Sequence, residues 1–419
     1  MINKYIISKN IQSLVYLMMV NFGVLPISLI TNIFLTRLLG VQDFGNFIYL
    51  TSLLGLFTTV FTFGFFQAGG RAILLSSSEK RKSGYYGAEL VITLAIYFLL
   101  SMSLILYLHF DANFKSKNLD GYLSVFVLSG WVLLLRRYYD VLFQADKKIP
   151  MLAFSRIMQP ISFLLSIVFF YYVLNKEITL IIVLLLFPAT HLITALFVFL
   201  KVKPSFRSFR RRAEEIWLYN RKFGFQIYIG SIIPLSLVSV SGIFISYVSE
   251  DNSGVGFYGL ALSLVSIISI VPNTIATVFY KDFSKMRKIP IKIIIYTITP
   301  TLVSFLGMLI LIRPFILNIY SDNYAPVIEL VYIMALGVVA HGMGDFYNRY
   351  LSANGFGASV KNAAILTGFS SFILNIIFIP IYKEIGAAIS TALTGFFYFS
   401  LIFFYYIKVV RNKNENRKD

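Results

Sequence analysis

The chain has 419 residues, of which 58% are hydrophobic, and a formal net charge of +18. A mean hydropathy of +0.77 excludes a soluble globular protein, and the absence of cysteine excludes disulfides and thiolate metal sites. The net charge suggests a nucleic-acid partner only if its location is ignored: the basic residues flank apolar runs, which points to membrane topology and to attraction by anionic inner-leaflet lipids.

Crossing about 30 Å of hydrocarbon takes roughly 20 apolar residues in a helix. Runs of that kind predict twelve spans, at 13–35, 46–68, 88–110, 121–143, 152–174, 178–200, 223–248, 256–280, 291–313, 327–350, 361–381 and 386–407. The chain therefore reads as an all-α integral membrane protein. The first run has no small-residue cleavage site after it, so it is expected to remain as a span. Lysine and arginine fall almost wholly in alternate gaps; only Arg37, Lys115, Lys117, Lys176, Arg313 and Lys383 lie in the others. By the positive-inside rule both termini are cytoplasmic.

Taken in chain order, several ionisable residues sit inside or at the rim of these spans. Arg37 lies near the outer end of span one, Arg71 at the inner end of span two, and Glu89 at the start of span three. Arg136, Arg137 and Asp140 occupy the last turns of span four, and Arg156 lies about one turn into span five. Span six is followed by the longest polar interval, 201–222, where Phe206, Phe209, Ala213, Ile216 and Trp217 recur at helical spacing among Arg210, Arg211 and Arg212. This reads as an amphipathic helix on the inner membrane face, or as a solvated basic linker. Arg313 and Glu329 lie at the outer ends of spans nine and ten, and Asp345 and Arg349 stand four apart on span ten, on one helix face.

The interval 201–222 divides the chain into a lobe at 1–200, a linker, a second lobe at 223–410 and a basic tail at 411–419. The lobes echo one another at a nearly constant offset. Pro26-Ile27-Ser28-Leu29 matches Pro234-Leu235-Ser236-Leu237, and Phe44-Gly45 with Ser52-Leu53 matches Val255-Gly256 with Ser263-Leu264. Arg137-Tyr138-Tyr139 with Ala145 matches Asp345-Phe346-Tyr347 with Ala353. Two six-helix units that both begin inside are parallel repeats, an arrangement in which the substrate binds between the halves and access alternates.

Signatures of soluble enzymes are missing: no P-loop, GxSxG or HExxH occurs, and His109, His191 and His341 are dispersed. No enzymatic activity and no cofactor are expected. The intramembrane charges are then the candidates for function, since each is costly there unless it faces a cavity or a partner. Taken singly, the arginines also read as side chains snorkelling to headgroups, and Asp345 with Arg349 as an internal ion pair. Taken together, Arg37, Arg71, Arg137, Arg156 and Arg349 suggest a cavity of positive potential, in which guanidinium groups grip phosphate oxygens in bidentate fashion. Aromatics near these charges, such as Tyr138, Tyr139, Phe346 and Tyr347, suit sugar stacking or an interfacial belt.

The stretch Arg37-Leu38-Leu39-Gly40, followed by Phe44-Gly45-Asn46-Phe47, Gly64-Phe65 and Arg71, resembles the RxLGxxxFGxF signature of O-antigen and polysaccharide flippases. Asn375, Ile379-Pro380, Gly386-Ala387-Ala388 and Thr391 resemble the family's signature in its last two helices, with Lys383-Glu384 near a place where the family often has glycine. Leu351-Ser352-Ala353-Asn354-Gly355 is similar to its inner turn after helix ten. The resemblance, which runs over nearly the whole chain, is to the polysaccharide branch of the multidrug/oligosaccharidyl-lipid/polysaccharide (MOP, MATE-like) exporters. It implies a flippase of the bacterial inner membrane. The cargo would be an undecaprenyl-pyrophosphate-linked oligosaccharide for O-antigen, capsule or exopolysaccharide. Movement would be by alternating access without ATP, with polymerase and chain-length regulator proteins as partners. Glu89, Asp140 and Asp345 are the candidates for a coupling ion. A drug/cation antiporter of the same superfamily and a membrane-embedded polymerase are the alternatives; short outside loops disfavour the second.

Overall fold

The computed structural model describes residues 2–175 and 177–415, and within them the side chains of 23–175, 177–229, 232 and 239–412. The charge-pattern residues Lys4, Lys9, Lys176, Lys413, Arg417 and Lys418, the repeat segment at 234–237 and the tail beyond Asn412 lie outside the described side chains. The described residues contain no strand. Eight of the described helices are long and apolar enough to cross a membrane. Two of these, Gly23–Phe61 and Gly357–Asn412, hold 39 and 56 residues, each more than one crossing requires. The predicted span pairs at the two ends of the chain fall on them.

The chain divides into two compact units, Met1–Asp43 with Leu50–Ser236, and Phe44–Tyr49 with Leu237–Asp419. The first unit opens with α1 (Ile2–Phe61), which is broken at Gly40 by φ 73 and ψ −178. A Cβ at Gly40 would meet nothing within 4 Å, so glycine serves the backbone there: only it adopts this φ without strain. Thr31 and Thr36 just before the break donate to the carbonyls of Ile27 and Asn32, a back-bonding that favours bending. The predicted loop between spans one and two is thus a single-residue kink.

Phe63 and Gly64, both at positive φ, end that helix earlier than the predicted limit of span two, and α2 (Phe65–Leu74) follows. Next comes α3 (Glu79–Phe110), which starts well before the predicted start of span three. Its Ile96, Leu100, Leu104 and Leu108 are buried, whereas Phe98, Met102, Leu106 and Phe110, also four apart, are all at least 60% exposed. A helix bearing large apolar side chains on both its inner and its outer face is built for lipid rather than water.

Span four is built in pieces, α4 (Ala112–Ser116) preceding it and α5 (Leu123–Leu128) and α6 (Gly130–Ala145) forming it. Ser129, at the junction, donates to the Leu184 carbonyl 3.3 Å away. The unit continues through α7 (Ile149–Val168), α8 (Leu180–Val202), α9 (Phe209–Tyr219) and the start of α10 (Phe225–Val248). The basic interval does form a helix, and α9 is tied to α3. Ile216 is buried, Arg212 pairs with Glu215 at 2.7 Å, and the Tyr85 hydroxyl of α3 donates to Glu215.

The second unit contains the end of α10, then α11 (Ser253–Val278), α12 (Tyr280–Phe283), α13 (Ile291–Phe315), α14 (Pro326–Ala353) and α15 (Gly357–Glu415). Lys383, at φ 50 and ψ −126, breaks α15 where two spans and a loop were predicted. Close approach is the organising device. A Cβ on Gly337 would collide with Ala392 of α15, and one on Gly395 with the Gly337 carbonyl. Small residues of this kind let membrane helices pack through dispersion, since lipid supplies no hydrophobic drive between them. At one end, Phe283, Phe346, Tyr347, Tyr350 and Tyr406 form an aromatic core, in which the Tyr350 hydroxyl donates to the Arg287 carbonyl and the Ile289 N–H donates to the Tyr406 hydroxyl at 3.1 Å.

The short segment of α1 that follows the Gly40 kink belongs to this second unit. Phe44 is fully buried, edge-on to Tyr324. Gly45 lies against the Asn252 carbonyl, where no Cβ would fit. Asn252 Nδ2 donates to Asn46 Oδ1 at 2.8 Å and Ser246 Oγ to Asn252 Oδ1 at 2.7 Å. At the other motif Asn375 Nδ2 donates to Ser241 Oγ at 3.0 Å, Ala387 and Ala388 are fully buried, and Thr391 shares a 2.9 Å hydrogen bond with Tyr258.

Candidate functional site

Arg37, Arg71, Arg137 and Arg156 all fall in the first unit, and Arg349 in the second. Arg37, Arg71 and Arg349 are exposed, and Arg137 and Arg156 are half-buried. Arg71 is on α2, and its guanidinium lies over the Phe223 ring, 5.2 Å from the centroid, a cation–π contact that fixes it without neutralising it. Arg137 is on α6, one turn before Asp140. Asp140 is engaged elsewhere: Arg156 Nε of α7 donates to its Oδ1 at 2.8 Å. Among the described residues Arg71, Arg137 and Arg349 form no salt bridge, whereas Arg156 is partly neutralised.

The three carboxyls considered for a coupling ion have different surroundings. Asp140 is paired as above. Asp345 is not paired with Arg349, as the internal ion-pair reading expects. Its Oδ1 accepts from the Tyr398 hydroxyl at 2.9 Å, its Oδ2 accepts from Asn273 Nδ2 at 3.1 Å, and His341 Nδ1 lies 3.6 Å away. Spacing of four residues allowed either neighbour, and Asp345 is turned to the one on the preceding turn. Glu89 is fully buried, and neither carboxyl oxygen has a hydrogen-bond partner among the described residues. Its Oε2 occupies the space that a Cβ of Gly69, on α2, would take.

Two clusters escape sequence reasoning. Asp146, just after α6, receives Lys82 at 2.7 Å, Lys148 at 2.8 Å and the Tyr86 hydroxyl at 2.9 Å. Burial by itself would raise its carboxyl, but the hydrogen bonds from Lys148, Lys82 and Tyr86 outweigh it and hold the group below the usual carboxylate range. A carboxyl lowered on folding adds stability that is fully present above its unfolded value, about 3.9, and is lost as pH falls through the folded value. Asp146→Asn is therefore expected to destabilise the detergent-solubilised protein by about 1–3 kcal/mol at neutral pH and to match it in strong acid. Melting curves at the two pH values check this; equal losses at both would assign the effect to packing instead of charge. The second cluster is Asn273 and His341 around Asp345. A signal for it exists in the sequence, since Ser263, Ser266, Ser269 and Asn273 recur every three to four residues on an otherwise apolar helix.

With no strand among the described residues and eight described helices apolar and long enough to cross a membrane, the chain is a multi-pass membrane protein. Solved transporters share its fold. A multidrug resistance MATE family transporter of the MOP superfamily, inward-facing, superposes with a TM-score of 0.68 at 12% identity, covering 94% of this chain and 96% of that one. Lipid II flippase MurJ, in an inward closed conformation, gives 0.66 at 14% identity over 94% and 90%. A MOP superfamily transporter from Pyrococcus furiosus gives 0.57 at 13% over 96% of each chain. The protein thus has the MOP-transporter fold. Residues 11–287 match the model of the polysaccharide biosynthesis protein family, and the chain belongs to that family. No curated protein matches it as a relative.

Proposed function

We propose that the protein is a flippase of the bacterial inner membrane, with both termini cytoplasmic. It moves an undecaprenyl-pyrophosphate-linked oligosaccharide from the inner to the outer leaflet by alternating access. Polymerase and chain-length regulator proteins act on the same glycan. The observation that carries this reading is Arg71 and Arg137 of the first unit, neither of which forms a salt bridge among the described residues, in a chain whose family is that of polysaccharide biosynthesis. A pyrophosphate supplies the missing negative charge, and guanidinium groups match its oxygens in bidentate geometry. The polyprenyl tail has no need of a protein pocket, since the lipid itself dissolves it.

Glu89 is the best of the three candidates for a coupling proton. Burying an unpaired carboxylate costs several kcal/mol, so exchange of a proton at Glu89 requires α2 and α3 to separate enough to admit water. Asp140 and Asp345 already have partners. A drug/cation antiporter would need a carboxylate open to an organic cation, and none of the three is both open and unengaged.

A clean deletion of the gene tests the reading. The lipid-linked repeat unit is expected to accumulate where only cytoplasmic-side reagents reach it, and surface polymer to disappear, both restored by the gene in trans. Normal surface polymer with normally translocated intermediate would overturn it.

A further inference from the structure

The polar cluster of the second unit is not absorbed by a pyrophosphate site, and it stands in a segment where polarity is costly. Asp345 and His341 lie within α14, and their side chains are 26% and 47% exposed. A carboxylate open to hydrocarbon is disfavoured, so this face borders water or cargo rather than lipid.

The Asp345 carboxylate is held from three sides, by Tyr398, Asn273 and His341. Tyr398 is itself fixed, because Asn348 Nδ2 donates to its hydroxyl at 2.7 Å and Ser352 Oγ in turn donates to Asn348 Oδ1 at 3.0 Å. A carboxylate offers about four acceptor positions, so this one is locked in place and keeps capacity on its open side. Beside it the His341 ring stacks on Tyr398, centroids 4.4 Å apart at 27°. With one face on the tyrosine and nearly half its side chain exposed, the imidazole presents its other face outward.

The chemistry of the cluster narrows the ligand. A metal cation wants several converging acceptors; here the donors of Asn273 and Tyr398 point at the single carboxylate, and the described residues contain no group of three or more metal-ligating side chains. An anion would be repelled by Asp345. A neutral polyol fits, since its hydroxyls donate to the fixed carboxylate while its C–H face lies on the aromatic ring. The adjoining helix extends the surface. Ser263, Ser266 and Ser269 donate to the carbonyls of Gly259, Ser263 and Ser266 at 2.7–2.9 Å, which leaves their oxygens free to accept, and all are half-exposed. They lie beside the cluster because α14 packs on α11 at Gly342, where a Cβ would stand 3.3 Å from Ser269 and 2.8 Å from the Pro272 ring.

We propose that Asn273, His341, Asp345 and Tyr398 form a seat for a sugar ring of the cargo, with the serines of α11 receiving the hydroxyls of the next sugar. This rests on the flippase reading and adds to it a seat for the glycan within the second unit.

The test uses the full chain in lipid nanodiscs and two probes, undecaprenyl pyrophosphate and the same lipid bearing N-acetylglucosamine on its pyrophosphate. The wild type is expected to bind the sugar-bearing probe about tenfold more tightly. Asp345→Asn and His341→Ala, each checked for an unchanged melting profile, are expected to bring the ratio of the two affinities to near one. Tyr398→Phe, which removes only the hydroxyl that holds Asp345, should lower the ratio in part. A wild-type ratio of one, or variants that keep the tenfold ratio, would overturn the seat while leaving the flippase reading intact. Failure of the wild type to bind either lipid would overturn both.

Discussion

Reversing the charge of Arg71 or Arg137 is expected to abolish export while leaving insertion and folding unchanged. A charge-assisted hydrogen bond contributes about 1.5–3 kcal/mol, so losing one costs roughly tenfold to a hundredfold in affinity. A glutamate in its place adds repulsion to that loss. Arg71 is the sharper test, because its guanidinium rests on Phe223 and no carboxylate of the described residues is stranded by the change. Arg71→Lys should give an intermediate phenotype, since an ammonium keeps the charge and loses the bidentate geometry. Arg156→Glu is a poorer probe, as it also leaves Asp140 without its 2.8 Å partner. Arg210, 93% exposed on α9, supplies the control: Arg210→Glu is expected to change export little. The measurement is surface polymer per unit of inserted protein in a complemented deletion strain. Full activity in both the Arg71 and the Arg137 reversals would remove the cationic-site argument.

Glu89→Gln is expected to fold with a stability within about 1 kcal/mol of the parent, while transport loses its response to an imposed proton gradient. The two halves of this result come from one geometry. Both carboxyl oxygens are buried without a partner and lie against Gly69, and an amide of the same shape fits the same space. Were Glu89 ionised there, its replacement by glutamine would relieve the burial of an unpaired charge and stabilise the protein by several kcal/mol. Melting curves of the two proteins, read with transport in proteoliposomes at fixed and imposed pH gradients, separate the cases. A large gain in stability, or transport that still follows the gradient, would exclude Glu89 as the proton carrier. Gly69→Ala is a companion probe, because its methyl group must displace the Glu89 carboxyl.

The motifs that carry the family resemblance turn out to be architectural. Gly40 supplies a positive φ, and Phe44, Gly45 and Asn46 dock into the second unit against Tyr324 and Asn252. Asn375, Ala387, Ala388 and Thr391 do the same work for α15. They are short, local and dictated by close packing, which is why they are legible as a pattern. The residues proposed to face the cargo are not. Nothing in the spacing of Asp345 chooses between His341 and Arg349, four residues away on either side. The choice falls to Tyr398 and Asn273, which come from other helices.

Class and solvent were determined by the amino-acid sequence alone. Runs of about 20 apolar residues and the sorting of basic residues into alternate gaps specify a multi-pass helical membrane protein, because bilayer insertion responds to local hydropathy and charge. Tertiary structure decided where those helices break, which carboxyl is sealed and which is held open. Gly40 and Lys383 replace loops by kinks, since the backbone there bends at one residue. Glu89, Asp140 and Asp345 look alike as acids within or beside spans. They differ once α2, α7 and α11 bring Gly69, Arg156 and Asn273 to them, and packing between helices distant in sequence leaves no mark on local pattern.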